Sequence, residues 1–193
     1  MNTTRLEAFS DGVIAILITI MVLELKVPEG TTLEALQPQL PVFLAYLLSF
    51  IYVGIFWNNH HHLFHMVEQV SGGILWGNLN LLFWLSLIPF ATGWMGENHF
   101  AALPTAVYGC VLLACAIAYR ILVVVICRDP DAGSRLARAV GGDLKGKISI
   151  VGYLIGIGAA FIQQWISDIL YIGVAAMWLI PDRRISRNVV EGK

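Results

Sequence analysis

The chain has 193 residues, 58% of them hydrophobic and 13% charged, with 12 basic and 13 acidic side chains and a formal net charge of −1. Soluble domains carry roughly 25% charged residues, so this chain has too few to coat a core of its length, and a mean hydropathy of +0.73 points to a bilayer. The same composition excludes a disordered chain, a disulfide scaffold and a nucleic-acid binder, because apolar content is high, cysteines number three and charge is nearly balanced.

A helix needs about 20 mostly apolar residues to cross about 30 Å of hydrocarbon, with every backbone polar group satisfied inside it. Six segments qualify, at about 6–25, 42–65, 74–94, 103–126, 147–163 and 166–181, and predict an all-α membrane protein with one six-helix domain over 1–193. Span two is apolar to Trp57 and then turns polar; span three is interrupted by Pro89. The last two share one apolar stretch too long for a single crossing and short for two, with Gln163, Gln164, Trp165 and Asp168 marking the expected turn.

Lys and Arg collect in cytoplasmic loops. Arg5, Arg128, Arg135, Arg138, Lys145, Lys147, Arg183, Arg184, Arg187 and Lys193 all fall on one side of this topology; Lys26 stands on the other, beside Glu24 and Glu29, and Arg120 can snorkel from span four. Both termini are therefore expected to be cytoplasmic. The opening residues lack a basic leader and a cleavage site, so the first span is expected to stay. Asn2-Thr3-Thr4 has the form of a glycosylation acceptor made inert by that location, and Cys110, Cys115 and Cys127 read as small buried residues.

The first span combines a polar entry with an apolar stripe. Thr4 and Glu7 have capping-box spacing, and Asp11 follows at a depth where a carboxylate needs a partner, which Arg5 or a histidine of another span could supply. An interfacial anchor network and a direct part in ion handling both account for this carboxylate; the anchor is preferred. Beyond it, Ile16, Thr19, Ile20 and Leu23 fall on one narrow stripe, and Asp11 points about 140° away from Ile16. A ring of such helices could turn the stripe to a central axis, where an apolar collar makes ions shed water and a Thr hydroxyl replaces part of their hydration. A lipid-facing or packing surface is the commoner use of such a stripe.

At the inner end of span two, His61 and His65 stand at i and i+4, a spacing that can bind zinc or sense pH. Glu68 is only a loose third ligand, so a polar cap bonded to neighbouring helices, Asp11 among the candidates, is preferred and no metal is expected. Ile150-Val151-Gly152-Tyr153-Leu154 evokes a potassium filter but lies within an apolar span. Gly152 and Gly156 read instead as a small-residue packing face, and Asn78 and Asn80 as interhelical hydrogen bonders. No phosphate loop, catalytic triad or paired catalytic carboxylates occur at useful spacing, so an enzyme is not expected.

Arg5-Leu-Glu-Ala-Phe9-Ser10-Asp11-Gly-Val-Ile-Ala15 resembles the signature Arg-x-x-x-Phe-Ser-Asp-x-x-x-Ala that opens the first helix in the transmembrane protein 175 family of potassium channels, especially its prokaryotic members. The six-span length, the Trp57-Asn-Asn-His-His run and the Asn-rich third span with its Pro-Phe pair extend the resemblance over nearly the whole chain. It implies a homotetramer in a prokaryotic plasma membrane, with the first helix of each subunit lining a central pore, no filter loop and no cofactor beyond permeant K+. By position it implies a constriction at Ile16, further layers at Ile20 and Leu23, a possible ion-coordinating hydroxyl at Thr19, and a structural network of Arg5, Phe9, Ser10 and Asp11 with Trp57, His60 or His61. The function expected is a leak-like cation pathway favouring potassium over sodium. The alternative is a proton-coupled carrier using Asp11 and the interface histidines.

Overall fold

The structure, a computed structural model, describes residues 3–67, 69–129 and 144–179. Glu68, Arg135, Arg138, Arg183, Arg184, Arg187, Lys193 and Asn2, all weighed above, lie outside the described residues. Helix α1 spans Thr3–Leu23; a 3-10 helix at Leu33–Gln39 leads into α2, Leu40–Phe64. Then come α3 (Gly72–Ser86), α4 (Ile88–Glu97), α5 (Ala102–Arg128), α6 (Leu144–Ala159) and α7 (Gln164–Leu179).

Helices α3 and α4 are the two halves of the third predicted span. Pro89 has no amide to donate and its ring crowds the carbonyl of Leu85, four residues back. The backbone tightens just before it, with Leu87 N–H bonding Trp84 O at 3.2 Å, and regains the α pattern at Ala91, whose N–H reaches Leu87 O at 3.1 Å. The filter-like run at 150–154 lies inside α6 as ordinary helix.

The segments Thr3–Leu23, Leu33–Phe64, Gly72–Glu97 and Ala102–Arg128 are long and apolar enough to cross a membrane. Helices α6 and α7 have 16 residues each, about 24 Å at 1.5 Å per residue. The turn between them falls at 160–163, where Ile162 and Gln163 N–H groups both bond Ala159 O. Gln163 lies in that turn, whereas Gln164, Trp165 and Asp168, also expected there, belong instead to α7.

Polar contacts fix the helix directions. Trp57 of α2 meets Asp11 of α1, Asn78 of α3 meets Ser10 of α1, Tyr119 of α5 bonds Asn59 O of α2, and Trp178 of α7 bonds Ser149 of α6. Arg5, Arg128, Lys145 and Lys147 therefore share one end of the bundle, and Lys26 and Glu97 the other. Cys115 is buried and Cys127 half-buried, as small packing residues. Cys110 is not: five residues before Cys115, it turns out of the core and is exposed.

Helices α5, α6 and α7 pack closely around Tyr171, which is fully buried. A Cβ at Gly109 or Gly156 would run into its ring or hydroxyl, and one at Gly152 would meet Val174. The small-residue face of α6 thus receives α7 directly. Tyr52 donates to Tyr171 O at 2.6 Å, and Ser167 to Gly156 O at 2.7 Å. A second buried chain joins three helices. Thr92 Oγ1 donates to Ile88 O, so Ser49 must donate to Thr92 (2.7 Å) and Tyr108 to Ser49 (3.0 Å), because each hydroxyl has one proton. Among the described residues, Gln39 Oε1, Thr105 Oγ1 and Asp168 Oδ1 are buried without a partner.

Gly156→Leu is expected to push Tyr171 off its site and to cost about 1–3 kcal/mol, as overpacked cores do. Gly158, with open space around its Cα, gives the comparison: Gly158→Ala should leave the thermal unfolding midpoint of the purified protein in detergent unchanged or slightly raised.

Candidate functional site

Helix α1 is apolar on nearly every face beyond Asp11, so hydrophobicity alone cannot choose which face it buries. Polar residues choose. Ser10 is buried at the contact with α3, and Leu6 before it and Ile14, Leu17 and Met21 after it lie on the same side, each no more than 5% exposed. Three- and four-residue steps keep those side chains on one stripe, packed against α2, α3 and α4.

Two sets of hydrogen bonds hold that stripe inward at the end of the bundle carrying Arg5. In the buried set, Asn78 of α3 stands between the other two helices: its Nδ2 donates to Ser10 Oγ at 2.9 Å, and its Oδ1 lies 2.8 Å from His60 Nε2 of α2. A carbonyl oxygen only accepts, so His60 is the donor through Nε2. Ser10 passes its own proton to Leu6 O at 2.9 Å. In the exposed set, Trp57 Nε1 donates to Asp11 Oδ1 at 3.0 Å. The partner at Asp11 is thus the indole of Trp57. His60 lies three residues beyond Trp57, turned toward α3, and its bond goes to Asn78.

His61 stacks on Trp57, with ring centroids 6.2 Å apart and planes at 23°. Arg5 and Phe9 are exposed. Among the described residues no group of three or more His, Cys, Asp or Glu side chains converges on a point that could hold a metal.

The opposite stripe of α1 is bare. Ile16 is 56% exposed, Ile20 41% and Leu23 78%, and Thr19 is exposed between them. Thr19 Oγ1 donates to Ile16 O at 2.8 Å, which spends its proton on the backbone and leaves the oxygen lone pairs as its free function. At the far end of the helix Lys26 and Glu97 form an exposed ion pair at 2.7 Å, joining the loop after α1 to the end of α4. That bond, then the Glu97 charge, and lastly Glu24 hold the Lys26 ammonium above its ordinary pKa.

The stripe, Asp11 and Trp57 stood out in the sequence, whereas the double role of Asn78 did not. Asn78 was legible as an interhelical hydrogen bonder, and it is one, but which helices it would join was not. Its two partners, 68 and 18 residues away, depend on where three helices meet. Asn78→Leu should leave the buried His60 Nε2–H without its acceptor, at about 1–3 kcal/mol, while Ser10 keeps its bond to Leu6 O and loses only the one it accepts; the thermal unfolding midpoint should fall. Trp57→Phe, which loses one exposed bond, should cost about 1 kcal/mol in the same assay.

The family model described as endosomal/lysosomal potassium channel TMEM175 matches residues 5–89, from the start of α1 through both sets of bonds to the proline break. A potassium channel of Chryseobacterium sp. (strain P1-3) is 57% identical over 191 residues, covering 99% of this chain and 100% of that protein. A potassium channel of Streptomyces collinus is 36% identical over 175 residues, 82% of each chain. The crystal structure of a lysosomal potassium-selective channel TMEM175 homolog from Chamaesiphon minutus superposes with a TM-score of 0.75 at 30% identity, covering 92% of this chain and 96% of that one. Similarity of this extent, in sequence and in fold, makes the chain an integral membrane protein of the TMEM175 family, a family of channels and not of enzymes.

Proposed function

We propose that this protein is a potassium-permeable, leak-like cation channel, a homotetramer with both termini cytoplasmic in a prokaryotic plasma membrane, whose pore is lined by α1 of each subunit. The observation that carries this reading is the division of α1 into a stripe packed and bonded to its own subunit and an opposite aliphatic stripe left bare at Ile16, Ile20 and Leu23. Each chain has a single α1, and one helix face cannot enclose a path, so several copies are needed. The potassium channels among its relatives supply the permeant ion, and the basic residues gathered at one end of the bundle support the orientation.

In this arrangement Ile16 forms the narrowest ring, with Ile20 and Leu23 as further apolar layers. A collar of branched aliphatic side chains offers an ion no ligands, so passage requires the ion to give up water, and K+ gives it up more readily than Na+. The Thr19 oxygen, its proton committed to Ile16 O, faces the stripe as an acceptor able to restore part of that hydration. Asp11, turned to Trp57, takes no part in the path; the bonds through Asp11 and Ser10 hold the helix at the rotation that presents Ile16.

Proteoliposomes should show potassium flux exceeding sodium flux, and Ile16→Asn, which replaces the dry ring by a polar one, should bring the two permeabilities toward each other. Unchanged ratios in that variant would count against the constriction. Images of the purified particle should show four-fold symmetry with four helices around the axis. Asp11→Asn should leave passive potassium flux in place; flux driven by a proton gradient and abolished by that change would favour the carrier.

A further inference from the structure

The last turn of α2 puts three imidazoles outside the bundle. His61, His62 and His65 are exposed, and among the described residues none makes a side-chain hydrogen bond or ion pair, so their ring nitrogens are open to a ligand. His61 and His65 share one face of an intact turn, closed by His65 N–H to His61 O at 3.1 Å, and their ring centroids are 5.3 Å apart. An imidazole nitrogen lies about 1.1 Å from its ring centre and a metal about 2.1 Å beyond it, so two rings on one tetrahedral ion have centres about 5 Å apart. The observed spacing meets that requirement. His62 is 5.6 Å from His61, but consecutive residues diverge around the helix and do not face one another.

The geometry points to a two-histidine site for a divalent transition-metal ion on His61 and His65, whose occupancy acts on α1 through Trp57. Two imidazoles, with no carboxylate beside them among the described residues, suit Zn2+, Cu2+ or Ni2+ and not Mg2+ or Ca2+. With two protein ligands among the described residues the remaining positions are open to water, which makes the site exchangeable and not structural. Trp57, His61 and His65 follow one another at four-residue steps along one face. His61 stacks on the indole whose N–H holds Asp11, so an ion that fixes His61 against His65 changes the packing behind that bond. This second step rests on the proposed pore-lining role of α1; the metal site itself does not.

The test uses the full chain purified through a tag without histidines, with NiCl2 as the probe. Titration calorimetry should find one Ni2+ per chain. His61→Gln and His65→Gln should each weaken binding at least about tenfold, and His62→Gln should leave it within about twofold. All three side chains are exposed, so an unchanged unfolding midpoint confirms that each variant is folded. Absence of Ni2+ binding by the parent protein, or equal weakening by His62→Gln and His65→Gln, overturns the site. In proteoliposomes with Ni2+ on both faces, potassium flux should fall for the parent and hold for His65→Gln. Bound Ni2+ with undiminished flux overturns the coupling to α1. Absence of potassium flux before Ni2+ is added would count against the channel reading and leave the calorimetric result to decide the site.

Discussion

Hydrocarbon offers a polar group nothing to bond to, so a hydroxyl, amide or imidazole inside the bundle must find its partner on another helix or on its own backbone. In this chain that constraint sets helix rotation. An apolar helix in an apolar medium gains little from turning one aliphatic face inward over another, because lipid tails are as apolar as leucine. Ser10 breaks the degeneracy for α1. Its bond to Asn78, and that of Asn78 to His60, tie three helices at one level. A turn of α1 by a third of a revolution would carry Ser10 away and leave the buried Asn78 Nδ2–H without its acceptor. The bare stripe at Ile16, Ile20 and Leu23 follows from where Ser10 must go.

The same logic recurs in the rest of the bundle. Tyr108, Ser49 and Thr92 donate hydrogen bonds in one direction across α5, α2 and α4, and Tyr52 reaches the backbone of α7. Close approach makes these bonds possible, and small residues make close approach possible. Gly109 and Gly156 give Tyr171 its seat, and Gly96 lets α4 lie against the backbone of α2 at Val42. Polar groups thus select the arrangement, and the density of contact around the glycines supplies dispersion attraction to hold it.

Helix positions over the first four apolar runs were legible from hydropathy, because those runs are long and the breaks between them polar. The interruption at Pro89 was legible from the missing amide, and the packing face of α6 from the spacing of Gly152 and Gly156. The opposition of Asp11 to the Ile16 stripe came from helical geometry alone. Pairing between helices was not legible: His60, His61 and Trp57 were equivalent candidates for Asp11 until the crossing of α2 over α1 put the indole there. The exposure of Cys110 and the burial of four tyrosines around α7 escaped for a related reason. A helix apolar on all sides carries no periodic signal of which side faces the core. Lys26 had nearby acids in sequence, Glu24 and Glu29, yet its bond goes to Glu97, which only the fold brings close.

The tight α6–α7 turn has a consequence for how these helices can move. Only residues 160–163 separate them, and Ser167 of α7 is bonded to Gly156 O of α6 across the turn, so neither helix can tilt or slide without carrying the other. The pair behaves as one rigid hairpin, keyed to α5 where Tyr171 sits between Gly109 and Gly156.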